Sequence, residues 1–126
     1  MAKSFAINLD EDSFESNAGQ FTHFLDRMIR TVHSIALQKG FWDEDRNNAE
    51  LIALMHSELS EALEALRHGN PPSEHIPDFS ALTEELADVV IRVFDMAEAR
   101  SLDLSGAIVA KAKYNLSRPY KHGKRF

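Results

Sequence analysis

Four stretches of the chain carry apolar residues at helical spacing, and short polar segments with glycine or proline separate them. A spacing of three and four residues places apolar side chains on one face of an α-helix, which must pack against another element. Gly40 and Pro119 are typical of helix ends, because glycine tolerates a left-handed conformation and proline cannot continue a helix. The predicted helices cover about residues 18–39, 47–68, 80–100 and 103–118. We therefore predict an all-α fold that is similar to a four-helix bundle.

Polar residues mark the predicted helix starts. Asn17 and Asn47 each precede a Gln or Glu by three residues, which is the relation between an N-cap residue and its partner in the first turn. Asp78 or Ser80 is expected to cap the third helix. The apolar face of the first helix is predicted to consist of seven side chains: Phe21, Phe24, Leu25, Met28, Val32, Ile35 and Ala36.

The length of 126 residues suits one domain. We predict a single helical domain over residues 18–126 with a basic C-terminal tail, and a partly disordered N-terminal segment over residues 1–17. No leader-like start and no bilayer-spanning apolar run are found, so we expect a cytoplasmic protein without membrane contact. The net charge of -6 argues against non-specific binding to nucleic acid, which requires a basic surface.

The chain contains no cysteine, which excludes disulfides, thiolate metal sites and a cysteine nucleophile. Any bound metal must therefore be held by oxygen or imidazole ligands. Carboxylate oxygens favour hard divalent cations, so we expect magnesium, with manganese as an alternative.

An acidic residue lies in the middle of the apolar face of the second predicted helix. The apolar positions of this face are Leu51, Leu54, Met55, Ala62 and Ala65. Glu58 falls at the centre of the face, and Glu61 lies at its edge, one turn further along. Burial of an ionised carboxylate is costly unless the group is protonated, paired with a cation or bound to a metal. Glu58 and Glu61 are therefore candidate metal ligands.

The third predicted helix repeats this spacing with Glu85 and Asp88. Here a structural alternative exists, because Arg92 follows Asp88 by four residues and the two side chains can form a surface ion pair. If the two helices face each other, four carboxylates surround one space. Four negative charges in a dry space require cations, and oxygen-liganded divalent ions fit that requirement.

Other metal and phosphate sites do not match the sequence. A carboxylate-bridged di-iron bundle needs Glu-x-x-His on two helices, and this motif is absent. A phosphate-binding loop of the Gly-x-x-x-x-Gly-Lys type and a dinucleotide-binding glycine motif are also absent.

The core-facing side of the fourth predicted helix becomes polar and cationic towards its end, with Lys111, Tyr114, Asn115 and Arg118. These side chains are candidate ligands of a phosphate chain. The alternative is a helix end exposed to solvent, where basic residues are favoured by the helix dipole. Trp42, in the loop before the second helix, either stacks on a nucleobase or attaches the loop to the helices.

The two carboxylate motifs read His56-Ser-Glu-Leu-Ser-Glu-Ala-Leu-Glu64 and Glu84-Glu-Leu-Ala-Asp-Val-Val-Ile-Arg92. Together with the preceding Gly40-Phe-Trp42 and the trailing segment from Lys111 to Lys124, they resemble the MazG-like all-α nucleoside triphosphate pyrophosphohydrolases of a bacterial and phage branch. The resemblance spans about residues 18–126.

The resemblance implies that Glu58, Glu61, Glu85 and Asp88 bind magnesium, and that Lys111, Asn115 and Arg118 contact a nucleoside triphosphate. It also implies a homodimer or homotetramer, because members of this family complete their helix bundles across subunit interfaces.

The predicted reaction is hydrolysis of a nucleoside triphosphate to the monophosphate and pyrophosphate, by attack of a metal-activated water at the α-phosphorus. Glu61 or Glu58 is the candidate general base. One alternative is hydrolysis of another phosphoanhydride, such as a phosphoribosyl-nucleotide. A further alternative is a non-catalytic helical interaction module with a solvated acidic surface and a basic tail that binds an acidic partner.

Overall fold

A computed structural model of the chain describes residues 11–125. It contains four α-helices, α1 (Glu11–Gln38), α2 (Asn48–Arg67), α3 (Ala81–Ala99) and α4 (Leu104–Leu116), and a short 3-10 helix, Tyr120–Gly123. Over these residues no β-strand is present, and the one isolated bridge pairs Pro72 with Ser80. The prediction of an all-α fold with four helices is confirmed.

The first helix starts earlier than predicted. α1 begins at Glu11, so Asn17 lies inside the helix and the predicted cap at this position is wrong. Of the predicted N-terminal segment 1–17, residues 1–10 lie outside the described part, and residues 11–17 are helical.

The remaining helix starts agree with the sequence. The Asn47 side chain accepts a hydrogen bond from the backbone N–H of Glu50 at 2.8 Å, and the Ser80 hydroxyl accepts one from Thr83. Asp103 caps α4. Each bond satisfies a backbone N–H that has no partner inside its own helix, so these residues fix where the three helices begin.

The connection between α2 and α3 is held by side chains. Asn70 has a positive φ of 50°, and its side-chain oxygen accepts a hydrogen bond from the backbone N–H of Leu82 at 2.9 Å. Ser73 is buried, and its hydroxyl donates to the carboxylate of Glu84. The same carboxylate lies 2.6 Å from Nδ1 of His75. The first turn of α3, which carries Glu84, is therefore fixed to the preceding loop.

The described residues fall into two compact units. The larger, residues 28–102, contains α2, α3 and the second part of α1. In it α2 and α3 pack against each other. They run antiparallel, because Arg100 at the end of α3 bonds to Asn48 at the start of α2, whereas Arg92 bonds to Glu58 further along. The core of this unit consists of Ile29, Leu51, Ala62 and Ala97.

The predicted apolar face of α1 is only partly buried. Phe24 has 66% of its surface exposed, and Met28 and Ile35 are also exposed, whereas Ile29 is buried. Helical spacing identifies one apolar side of α1, but burial of that side needs a neighbour that covers its whole length. Phe24, Met28 and Ile35 therefore expose large apolar side chains to solvent in the single chain.

Among the described residues, the smaller unit comprises residues 11–27 and 103–125. Ser105 is buried, and its hydroxyl donates a hydrogen bond to Asp26 at 2.5 Å. Lys113 forms an ion pair with Glu15. These contacts join α4 to the first part of α1. In the part of the chain that is described, no helix combines the length and the apolar character needed to cross a membrane.

Candidate functional site

Three glutamates on α2 and α3 converge at one point. Glu58, Glu61 and Glu85 each offer a carboxylate oxygen, and these oxygens all lie within 4.8 Å of one another. Glu58 and Glu61 are one turn apart on α2, and Glu85 approaches from the antiparallel α3. The grouping follows from the two motifs once the helices pack face to face. We call Glu58, Glu61 and Glu85 the carboxylate cluster.

The burial of these side chains differs, and Glu61 is more exposed than the sequence predicts. Glu58 is buried, with 6% of its surface exposed, which confirms its position at the centre of the α2 apolar face. Glu61 is exposed and Glu85 is half-buried. Asp88 is half-buried and does not belong to the cluster. An aspartate side chain is one methylene shorter than a glutamate, so Asp88 has a shorter reach.

Arg92 pairs with Glu58 across the two helices. Its Nε donates a hydrogen bond to Oε1 of Glu58 at 2.6 Å. From the sequence, Asp88 is the expected partner because it lies four residues away on the same helix. The buried glutamate takes the arginine instead, because a buried carboxylate gains more from a cation than a partly exposed one does.

The pKa values of the three glutamates in the cluster are shifted in opposite directions. Burial raises the pKa of Glu58, but hydrogen bonds from Arg92 and Glu61 and the charge of Arg92 outweigh it, so the pKa lies below its usual value. The hydrogen bond to Glu58 raises the pKa of Glu61, and burial adds to this rise. Burial raises the pKa of Glu85, followed by the charges of Glu61 and Glu58. Without a metal, the cluster therefore holds protons more strongly than isolated carboxyls do.

Asp88 responds to the same field. Burial raises its pKa first, and the negative charges of Glu58 and Glu84 raise it further, while Arg92 opposes them. Although Asp88 is outside the cluster, its charge is coupled to that of Glu58 through space. A divalent cation near Glu58 would relieve both groups.

A cavity of about 270 Å³ adjoins the cluster in the larger unit. Its apolar wall is formed by Val32, Ile35, Ala36, Phe41 and Ile91, and its charged wall by Lys39, Arg46, Glu58, Asp88, Arg92 and Asp95. The cavity therefore combines apolar surface with cations beside the carboxylates. Of its charged residues, the sequence analysis identified Glu58, Asp88 and Arg92.

Asp95 anchors the wall of this cavity. It is buried and accepts hydrogen bonds from the indole N–H of Trp42 on both oxygens, at 2.9 and 3.1 Å. Nδ1 of His33 lies 2.7 Å from one of these oxygens. Arg46 and Arg100 each lie over the Trp42 ring, 5.3 and 5.6 Å from its centre. Trp42 thus attaches its loop to α3, and a contact between Trp42 and a substrate stays a prediction.

Sequence reasoning missed Asp95, although a signal was present. Glu85, Asp88, Arg92 and Asp95 follow each other at intervals of three and four residues, which places all four on one side of α3. A charged stripe on a helix that also carries apolar residues indicates a polar interface. Lys39 and Arg46 could not be identified in this way, because they lie at a helix end and in a loop, where side chains do not follow a helical repeat.

The predicted substrate ligands on α4 lie in the smaller unit. Lys111 Nζ is 4.7 Å from the centre of the Tyr114 ring, and the Arg118 guanidinium is 5.6 Å from it. Asn115 and Lys111 line a shallow, mainly apolar pocket with Ile108. Four predicted residues are therefore neighbours, and two cations of the set lie over one aromatic ring. Their contact with a phosphate chain stays a prediction.

The donor set of the cluster fits a hard divalent cation. Three carboxylates supply oxygen ligands at one point. The hydrogen bond to Glu58 raises the pKa of Glu61 and burial raises that of Glu85, and repulsion between the carboxylates adds to both shifts. Magnesium and manganese bind such ligands and neutralise the charge that causes the repulsion. The cluster could therefore hold a metal ion.

Comparisons of the chain with models of protein families, with curated proteins and with solved structures found no match. The resemblance to MazG-like enzymes therefore rests on the sequence motifs.

Proposed function

We propose that this protein is a magnesium-dependent hydrolase of the MazG-like type that cleaves nucleoside triphosphates to nucleoside monophosphates and pyrophosphate. The observation that carries the proposal is the convergence of Glu58, Glu61 and Glu85 beside a cavity that has both apolar and cationic walls. A nucleotide is complementary to such a cavity, because it joins a base with apolar faces to a negatively charged phosphate chain.

The carboxylate cluster would hold the ion, with Asp88 as a further ligand after a change of side-chain conformation. Bound there, a divalent ion lowers the pKa of a water molecule and neutralises charge on phosphate oxygens. The role of the protein is to present several carboxylates on two rigid helices. The loop contacts of Glu84 fix the first turn of α3 and thereby the position of Glu85.

The cavity residues suit the rest of the substrate. Phe41, Val32 and Ile91 offer apolar surface for a nucleobase, and Lys39 and Arg46 offer charge for the phosphate chain. Arg46 is held over the ring of Trp42, which limits the conformations of its long side chain. A positioned guanidinium binds phosphate with less loss of conformational entropy than a free one.

Glu61 is our candidate general base. A base must have access to the water that it deprotonates, and Glu61 is the exposed member of the cluster. Its raised pKa makes it a stronger proton acceptor than Glu58, whose pKa is lowered. Glu58, also a candidate from the sequence, would then act mainly as a ligand.

A homodimer or homotetramer is part of the proposal. Exposed apolar side chains on α1, including Phe24, Met28 and Ile35, support it, because a monomer gains nothing from leaving them in water. Lys111, Asn115 and Arg118 would contact the phosphate chain of a substrate.

The test is a screen of canonical and damaged ribo- and deoxyribonucleoside triphosphates with magnesium, in which pyrophosphate and phosphate are measured separately. We expect pyrophosphate as the product, together with the nucleoside monophosphate. Release of phosphate alone would refute attack at the α-phosphorus, and no turnover of any nucleotide would refute the proposed activity.

The matched variants lie on the same helix. Glu58→Gln removes the buried carboxylate and should lower pyrophosphate release about a thousandfold, which corresponds to about 4 kcal/mol of transition-state stabilisation. Glu64→Gln is the control, because Glu64 is exposed and pairs with Arg67 on the solvent side of α2. Its activity should equal that of the wild type, and helical circular dichroism should be the same for all three proteins.

A further inference from the structure

Arg92 contacts the carboxylate cluster at the residue that is most deeply buried. We propose that Arg92 is the built-in counter-ion of the metal site: its guanidinium neutralises Glu58 when no divalent ion is bound, and metal binding releases it into the adjacent cavity, where it binds the phosphate chain. The inference rests on the proposed function, because it requires a divalent ion on the cluster.

The first step concerns the metal-free protein. Glu58 is 6% exposed, and its carboxylate lies against the guanidinium of Arg92 inside the unit. A buried charge without a partner is strongly unfavourable. The Nε of Arg92, 2.6 Å from Oε1 of Glu58, supplies the positive charge at a distance typical of a charge-assisted hydrogen bond.

The second step concerns competition. A magnesium ion binds carboxylate oxygens at about 2.1 Å, which would bring two positive charges onto the carboxylate that already holds the guanidinium. Arg92 and the ion would repel each other at short range. The ion can also be shared by Glu61 and Glu85, whereas within residues 11–125 the hydrogen bond and ion pair of Arg92 go to Glu58. The ion therefore has the advantage of three ligands against one.

The third step concerns the released side chain. Arg92 is 35% exposed on its side chain and lines the cavity, so it has open space beside it. In the described part of the chain, its contact with Glu58 uses Nε, and neither terminal nitrogen forms a hydrogen bond. The two terminal nitrogens belong to the planar set of N–H donors with which arginine binds phosphate. Lys39 and Arg46 line the same cavity and would complete a cationic wall.

The test compares metal affinity in Arg92→Met and in a matched control. Arg67→Met also removes an arginine from an arginine–glutamate pair, at 2.7 Å from Glu64, but on the exposed side of α2. We measure binding of Mn²⁺ by electron paramagnetic resonance. Arg92→Met should bind Mn²⁺ roughly tenfold more tightly than the wild type, the factor that corresponds to loss of one competing charge-assisted hydrogen bond. Arg67→Met should bind it as the wild type does.

The second arm measures binding of inorganic tripolyphosphate at saturating Mn²⁺. Arg92→Met should bind it several-fold more weakly than the wild type, and Arg92→Lys, which keeps the charge, should recover part of the loss. A residue with a merely structural role would weaken both ligands together. Opposite changes in metal and tripolyphosphate affinity are therefore the signature of the exchange.

The outcomes separate the inference from the proposed function. Absence of Mn²⁺ binding in every protein, the wild type included, would overturn both. If the wild type binds Mn²⁺ and Arg92→Met binds it equally well or more weakly, the inference alone would be overturned, because Arg92 would then not compete with the metal for Glu58.

A measurement on the unmodified protein covers the case in which Arg92→Met does not fold. In nuclear magnetic resonance spectra, the Nε–H of Arg92 should exchange slowly with water before Mg²⁺ is added, because Glu58 holds it. Saturating Mg²⁺ should make this exchange fast. A slow signal that persists at saturation would overturn the proposal.

Discussion

Two buried carboxylates line the same cavity, and their surroundings differ. Both oxygens of Asp95 accept hydrogen bonds from the indole N–H of Trp42, and one of them also lies against Nδ1 of His33. Glu58 has Arg92 as its cation and two further carboxyls beside it. The first arrangement is complete without a ligand, whereas the second concentrates negative charge. The difference supports a structural role for Asp95, and it is consistent with the ligand-binding role that we propose for Glu58.

The largest expected effect on stability falls at Asp95. Asp95→Ala leaves the half-buried ring nitrogens of Trp42 and His33 without their carboxylate partner, which should lower the free energy of unfolding by about 3 kcal/mol. Urea denaturation followed by circular dichroism measures this change. Asp45→Ala, at an exposed loop position, is the control and should stay within about 0.5 kcal/mol of the wild type. Equal losses in the two variants would contradict the structural role of Asp95.

A smaller stabilisation should come from magnesium, and it should depend on the carboxylate cluster. At free Mg²⁺ about 100 times its dissociation constant, binding to the folded state adds about 2.7 kcal/mol. Thermal unfolding of the wild type and of Asp45→Ala should show this gain. Glu85→Gln should lose most of it, since it removes one of three ligands. A gain that survives in Glu85→Gln would place the ion elsewhere.

The smallest effect concerns pH in the absence of metal. The pKa values of Glu61 and Glu85 are raised above 4.5 in the folded protein, so the folded state binds more protons than the unfolded state in the range above that value. Stability contributed by these groups is present at low pH and is lost as the pH rises through their folded pKa values. The melting temperature of the wild type should therefore gain on that of Glu85→Gln as the pH is lowered from 7 to 5.

With magnesium present, the difference in melting temperature should no longer grow as the pH is lowered, because a bound divalent ion favours the ionised form of these carboxyls and opposes their raised pKa values. Melting curves of both proteins across this pH range, with and without Mg²⁺, provide the measurement. A metal-free difference that grows as the pH rises would contradict the assigned direction of the shifts.

Local chemistry predicted much of the fold. The caps at Asn47 and Ser80 depend on a side chain and a backbone N–H three residues away, so the sequence contains both partners. The burial of Glu58 followed from the apolar positions around it on α2. The start of α1 was not predicted, because the cap relation of Asn17 also occurs inside a helix, where other interactions decide.

Contacts between distant segments were harder to predict. Arg92 had a nearby candidate in Asp88, yet it pairs with Glu58, 34 positions away. The choice depends on which acid is buried, and burial depends on how α2 and α3 pack. Likewise, the link from Asp95 to Trp42 joins residues 53 positions apart, and no local pattern contains both.

The position of Trp42 has a consequence for spectroscopy. It is the single tryptophan of the chain, and its indole donates to Asp95 while two guanidinium groups lie over its ring. One of these belongs to Arg46, which also lines the cavity. Nearby charges shift the emission of an indole, so movement of Arg46 towards a ligand would change the fluorescence of the protein. The chain thus carries its own optical probe of events in the cavity, with no label and no background from a second tryptophan.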